Sequence, residues 1–142
     1  MKLKVKKLNK DAQVPKKGTS GSAGFDLYAS SDLVIPAGET KSVCTGLSFE
    51  IPAGHEIQIR PRSGLTLNTK LRVHLGTIDA DYRGEIRIIA ENTSKGTDGI
   101  KIEKGKRIAQ AVIHKLPSFS IEEVVEVSKT ERNENGFGST GE

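Results

Sequence analysis

The segment HEIQIRP, His55 to Pro61, alternates apolar and polar side chains with a period of two. Ile57 and Ile59 share one face of an extended chain, while Glu56, Gln58 and Arg60 share the other. A helix repeats every 3.6 residues and would scatter these positions, so the segment reads as a half-buried strand. The same rhythm recurs on either side. LRVHL aligns Leu71, Val73 and Leu75, EIRII aligns Ile86 with Ile88, and GIKIE aligns Ile100 with Ile102. Glycine- and proline-bearing turns separate the runs, at IPAGE 35–39, IPAGH 51–55, KGTDG 95–99 and EKGK 103–106. Short strands punctuated in this way predict an all-β fold: a sandwich, barrel or jelly roll. One short helix is predicted in SGLTLNTKL after Pro61, with Ser63 as its N-cap. A β domain is expected over residues 1–127, and the polar, glycine-rich residues 128–142 are expected to form a flexible arm.

With 142 residues the chain has the length of one domain. Its apolar content of 35% is low and it has no Trp, so association with copies of itself is expected to complete the core. No run approaches the roughly 18 apolar residues of a membrane span, and the lysine-rich start lacks a signal-peptide apolar stretch. No membrane partner is therefore expected. A single cysteine, Cys44, permits no intrachain disulfide and suits a reducing, cytoplasmic setting. His55, His74 and His114 are dispersed, without metal-type spacing. The net charge is +4, with five lysines in the first ten residues. Lys2, Lys4 and Lys6 read as the solvated face of a strand whose Leu3 and Val5 point inward. Without an exposed aromatic array, no nucleic-acid partner is expected. The surplus charge also suits a small polyanion such as a nucleoside triphosphate.

Five segments carry candidate chemistry. In GTIDADYRGEI, residues 76–86, a β-hairpin turn explains Asp81 and Gly84 but not Asp79, which follows the apolar Ile78 at a strand end. A carboxylate there is expected to be partly desolvated, as a general base requires. RPRSGL, residues 60–65, joins a guanidinium, a hydroxyl and free backbone N–H groups, which suit a phosphate; an ordinary helix start would look the same. In KGKRIAQAVIH, residues 104–114, Gln110 shares a face with Ile108 and Val112, consistent either with a partnered amide or with a solvated edge strand. In SAGFDLYAS, residues 22–30, Asp26 lies opposite the Phe25, Leu27 and Ala29 face. The arm RNENGFGSTG, residues 132–141, lacks the spacing and lysine of a phosphate-binding loop. Its glycines nevertheless permit a backbone nest for an anion, with Ser139 and Thr140 adding hydroxyls. Phe137 could lie on a nucleobase. By composition alone, the arm reads as a disordered tail.

Taken in order, AGFDLYA, PRSGL, GTIDADYRGEI, KGKRIAQ and RNENGFGSTG resemble the five motifs of the trimeric deoxyuridine triphosphatases, the dUTPases, across residues 23–141. The resemblance implies a β jelly roll assembled as a homotrimer. Each of three active sites would draw on all three chains, with one chain's arm closing over another's site. It implies hydrolysis of dUTP to dUMP and pyrophosphate by water attacking the α-phosphorus, with Mg²⁺ on the triphosphate. That reaction limits uracil in DNA and supplies dUMP for thymidylate synthesis. Carried over residue by residue, Asp79 would deprotonate the water, and Tyr82 would pack under the deoxyribose and exclude UTP. The backbone around Val73, Thr77 and Ile78 would read uracil. Arg62, Ser63, Gly64 and Gln110 would hold phosphates, and Asp26 would reach the metal through water. Arg132, Gly138, Ser139 and Thr140 would grip the γ-phosphate while Phe137 stacks on the base. Two positions depart from the pattern: Asn133 replaces a common glycine, and Val73 stands where some members carry asparagine. The related dCTP deaminases need a carboxylate on the following strand, where this chain has Ile89, with Glu91 two residues on. The resemblance leaves room for a regulatory protein partner as a second role.

Overall fold

The computed structural model describes residues 1–139 and 141. Among these residues lie eleven strands and one helix. The first five strands are β1 (Lys4–Lys7), β2 (Phe25–Tyr28), β3 (Leu33–Ile35), β4 (Thr40–Cys44) and β5 (Leu47–Glu50). Then come β6 (His55–Pro61), helix α1 (Ser63–Asn68), β7 (Leu71–Val73) and β8 (Gly76–Ile78). The series closes with β9 (Arg87–Asn92), β10 (Ile100–Ile102) and β11 (Arg107–Lys115). No described helix is long and apolar enough to cross a membrane.

A four-stranded sheet in the order β2-β11-β6-β8 faces a three-stranded sheet in the order β4-β9-β7, with β1-β5 and β10-β3 as two-stranded ribbons. Every one of these ladders is antiparallel. None joins two strands consecutive in the chain, so the chain crosses between sheets at each connection, as a jelly roll does. The expected all-β jelly roll with one short helix is the observed fold.

The alternation in HEIQIRP places Ile57 and Ile59 in the core, both essentially inaccessible, beside Leu27, Ala109 and Ala111 of the same sheet. Val43, Leu71, Ile88 and Ala90 meet them from the other sheet in one continuous cluster. Phe49 joins edge-to-face with Phe25, ring centroids 6.1 Å apart. Among the described residues, every buried side-chain polar atom has a hydrogen-bond partner. Thr45 Oγ1 donates to the Ile86 carbonyl at 2.6 Å, and Asn92 Nδ2 donates to the Ile35 carbonyl at 2.9 Å. Lys4 Nζ reaches Glu50 Oε1 across β1 and β5 at 2.7 Å and lowers the pKa of that carboxyl. In water such a pair fixes register and adds little stability.

Three local expectations differ from the structure. Ser63 is the first residue of α1 and not its cap. Arg62 holds the cap position with extended dihedrals and no side-chain capping bond, and its carbonyl accepts from Thr66 N–H at 3.0 Å. Leu75 is exposed, because β7 stops at Val73 and Gly76 opens a strand in the other sheet. The segment 76–86 is not a hairpin: β8 before the turn pairs with β6, and β9 after it pairs with β4 and β7.

Candidate active site

The motif residues gather at opposite ends of β6. At its C-terminal end, Arg62 Nε donates to Asp26 Oδ1 at 3.0 Å, and Arg107 Nη1 stands 3.5 Å from Asp26 Oδ2. Asp26 on β2 lies directly opposite Gln110 on β11. Gln110 Nε2 donates to the Pro61 carbonyl at 2.9 Å, so its amide is partnered and not merely solvated. Gly24 allows this packing, since a Cβ there would collide with the Ala111 carbonyl oxygen. Asp26, Arg107 and Gln110 line a cavity of about 460 Å³ whose rim adds Lys16 and Lys17. Asp26 is the one acid among the lining residues, which leaves the cavity positive and suited to a polyanion. Ser63 and Gly64 are exposed on the first turn of α1 beside Arg62.

At the other end, β8 runs back along β6 with Gly76 opposite Ile59 and Ile78 opposite Ile57. Asp79 therefore emerges level with Glu56, six residues from Arg62 along the strand. At about 3.3 Å per residue, the two groups of one chain stand roughly 20 Å apart. Asp79 is exposed, and among the described residues no hydrogen bond or ion pair engages its carboxylate. The desolvation expected at this position is thus absent from the single chain, because β8 is an edge strand with nothing packed beyond it. The Asp79 carbonyl accepts from Tyr82 N–H at 3.2 Å and closes the turn. Tyr82 lays its ring across Gly84, where a Cβ would collide with the ring, and its hydroxyl donates to the Glu85 carbonyl at 3.0 Å.

Thr77, Ile78, Asp79 and Tyr82 line a cavity of about 350 Å³ with Ser42, Glu85, Arg87 and Ile89. The Glu85 carboxylate is engaged, accepting from Gly46 N–H at 3.0 Å and Arg87 Nε at 3.1 Å. Ile89 presents an apolar wall, and Glu91 is turned to His74 at 3.1 Å, outside the cavity lining. At the position where the sequence comparison expects a deaminase's carboxylate, the lining residue is the apolar Ile89. Val73 is buried as a whole residue, 8% exposed, and its side chain belongs to the core cluster.

Residues 116–139 and 141 form no strand. Arg132 Nε donates to the Asn135 carbonyl at 2.8 Å, and Asn133 takes a left-handed φ of 46°, a conformation asparagine tolerates. Phe137 is fully exposed and precedes Gly138, whose φ is also positive. Ser139 N–H donates to the Gly136 carbonyl at 3.0 Å. Thr140 lies outside the described residues. Sequence reasoning missed Arg107, Lys16 and Lys17 at the first cavity, and Ser42, Glu85 and Arg87 at the second. Arg107 left no signal in the alternation, since it is out of phase with Gln110.

A jelly roll with a cation-lined cavity at one end of a central strand and an unpartnered carboxylate at the other belongs to the class of β domains that handle small polyanions. A family model described as dUTPase matches residues 10–141. The deoxyuridine 5'-triphosphate nucleotidohydrolase of Nautilia profundicola is 51% identical over 143 residues, covering 99% of each chain. That of Clostridioides difficile is 49% identical over 141 residues, covering 98% of this chain and 97% of its own. Among solved structures, Staphylococcus bacteriophage 80alpha dUTPase with dUPNHPP superposes with a TM-score of 0.91 at 31% identity, covering 99% of this chain and 98% of that one. The chain belongs to the dUTPase family.

Proposed function

We propose that the chain hydrolyses dUTP to dUMP and pyrophosphate at sites shared between the subunits of a homotrimer. The observation that carries this reading is the second cavity, where an unpartnered Asp79 carboxylate stands beside a Tyr82 ring pinned over Gly84. The similarity to enzymes named for this reaction supports it. A roughly 20 Å gap between Asp79 and the Asp26 group exceeds what one triphosphate's reacting centre can bridge. One chain's Asp79 then works with another chain's Arg62, Ser63, Gly64 and Gln110, and a third chain's arm covers both. Closure would also supply the desolvation that Asp79 lacks alone.

Asp79 accepts the proton of the water that attacks the α-phosphorus. Tyr82 packs against the sugar and leaves no room for a 2′-hydroxyl. The unpaired outer edges of β7 and β8 offer backbone N–H and C=O groups to the uracil edge near Val73, Thr77 and Ile78. Arg62, Ser63, Gly64 and Gln110 hold phosphate oxygens and ease departure of pyrophosphate. In the arm, Arg132, Gly138, Ser139 and Thr140 hold the terminal phosphate and Phe137 covers the base. No group of three or more His, Cys, Asp or Glu residues suited to a metal occurs among the described residues. One acid in a cationic cavity fits a hard cation that arrives on phosphate oxygens and meets Asp26 through water. Mg²⁺ bound in that way would neutralise charge on the triphosphate.

Pyrophosphate release from dUTP, dCTP, dTTP and UTP, each with Mg²⁺, tests the reading. Release from dUTP alone is expected, whereas uridine nucleotides formed from dCTP would overturn it. A sharper test of the sugar contact is Gly84→Ala. The added methyl must push the Tyr82 ring off its seat, so the preference for dUTP over UTP should fall by about tenfold or more. An unchanged ratio of kcat/KM values would remove Tyr82 from sugar discrimination.

A further inference from the structure

Resting on the dUTP reading, we infer that Arg107 is a positioning residue for Asp26, holding that carboxylate in place when Arg62 turns to the substrate's phosphates. The register of β11 against β2 carries the inference. Arg107 pairs with Tyr28 and Ala109 with Leu27, so two steps along β11 match one along β2, and Ile108 is the extra residue of a β-bulge. In a regular strand, Arg107 would share a face with the buried Ala109 and Ala111 and point into the core. The bulge turns it to the face of Asp26, Tyr28 and Gln110, and bulges recur where a side chain must be re-aimed. Ile108 and Ala109 are consecutive yet both fully buried, as the irregularity requires.

The two arginines grip different oxygens of Asp26 from different elements. Arg62 binds Oδ1 through Nε at 3.0 Å, which leaves its terminal nitrogens for a further acceptor. Arg107 meets Oδ2 through Nη1 at 3.5 Å from β11. Movement of Arg62 toward a phosphate would strip Asp26 of one partner, and Arg107 would keep the carboxylate aimed into the cavity. Neutral replacement of Arg107 would let Asp26 follow Arg62 or swing to solvent.

The test compares the parent with Arg107→Gln, Arg107→Lys, Asp26→Asn and the Asp26→Asn, Arg107→Gln double variant, all as full chains. Arg107→Gln is expected to lower kcat about tenfold and to raise the Mg²⁺ concentration for half-maximal rate several-fold, with KM for dUTP near the parent value. Arg107→Lys should restore most of the loss, and the double variant should be no worse than Asp26→Asn. Independently of turnover, electron paramagnetic titration of Mn²⁺ into complexes with α,β-imido-dUTP should show weaker Mn²⁺ binding in Arg107→Gln. Arg107→Met, which keeps the apolar stem, serves if the glutamine variant misfolds. Parent-like Mg²⁺ dependence and Mn²⁺ affinity in the neutral variants, or additive losses in the double variant, would overturn the inference. A parent that leaves dUTP intact while binding the imido analogue and Mn²⁺ through Arg107 would sink the reaction and leave the positioning role standing.

Discussion

Asp79→Asn is expected to keep the chain folded and assembled while lowering kcat for dUTP by about 10²–10⁴-fold, the scale of a lost general base. Asparagine matches aspartate in shape, and the Asp79 side chain is exposed with no described partner, so nothing in the packing resists the change. On the proposed reading, what disappears is the ability to accept a proton from the attacking water. KM should move little, because ground-state contacts to base, sugar and phosphates lie elsewhere. Steady-state kinetics, with thermal melting and gel filtration as controls for fold and assembly, decide the matter. Turnover near the parent rate in a folded variant would dismiss Asp79 as the base.

Truncation after Thr130 is expected to leave the same melting temperature and lose about 10²–10³-fold in kcat/KM. Among the described residues, those removed belong to no strand, and none of them joins the hydrophobic core cluster. On the proposed reading, they carry the guanidinium that holds the terminal phosphate and the aromatic ring that covers the base. A lost charge-stabilising donor costs about 10²–10³-fold, and a lost stacking contact about 1–3 kcal/mol. Phe137, fully exposed at a left-handed φ, has no structural reason to be kept in a lone chain. Full activity in the shortened protein would return the arm to being a solvated tail.

The parts of this molecule that were legible in its sequence are those that depend on local period. Ile57, Ile59, Ile88 and Ile102 announce their strands, and all are buried as their alternation requires, as is Ile86 just ahead of β9. Leu75 kept the period and is nevertheless exposed, because alternation reveals a face but not the sheet to which a strand belongs. The Asp–Gly turn of residues 81–84 looked like a hairpin for the same reason: turn chemistry is local, and strand partnership is not. Arg107 was invisible because a bulge inserts one residue and reverses the parity on which such reading relies. The motifs drew Asp79 and Arg62 into one list, but only the register of β8 on β6 separates them in space.

On the proposed shared-site assembly, that separation makes catalytic capacity a question of mass action. With Asp79 and the Asp26 cluster at opposite ends of β6, the proposed assembly gives a solitary chain a part of three sites and the whole of none. On the shared-site assembly, output per chain falls with dilution, although every chain remains folded. Inheritance follows the same geometry: a subunit defective only at Asp79 and another defective only at Arg62 can rebuild one sound site between them. A population of damaged chains would then retain some capacity that neither kind has when pure.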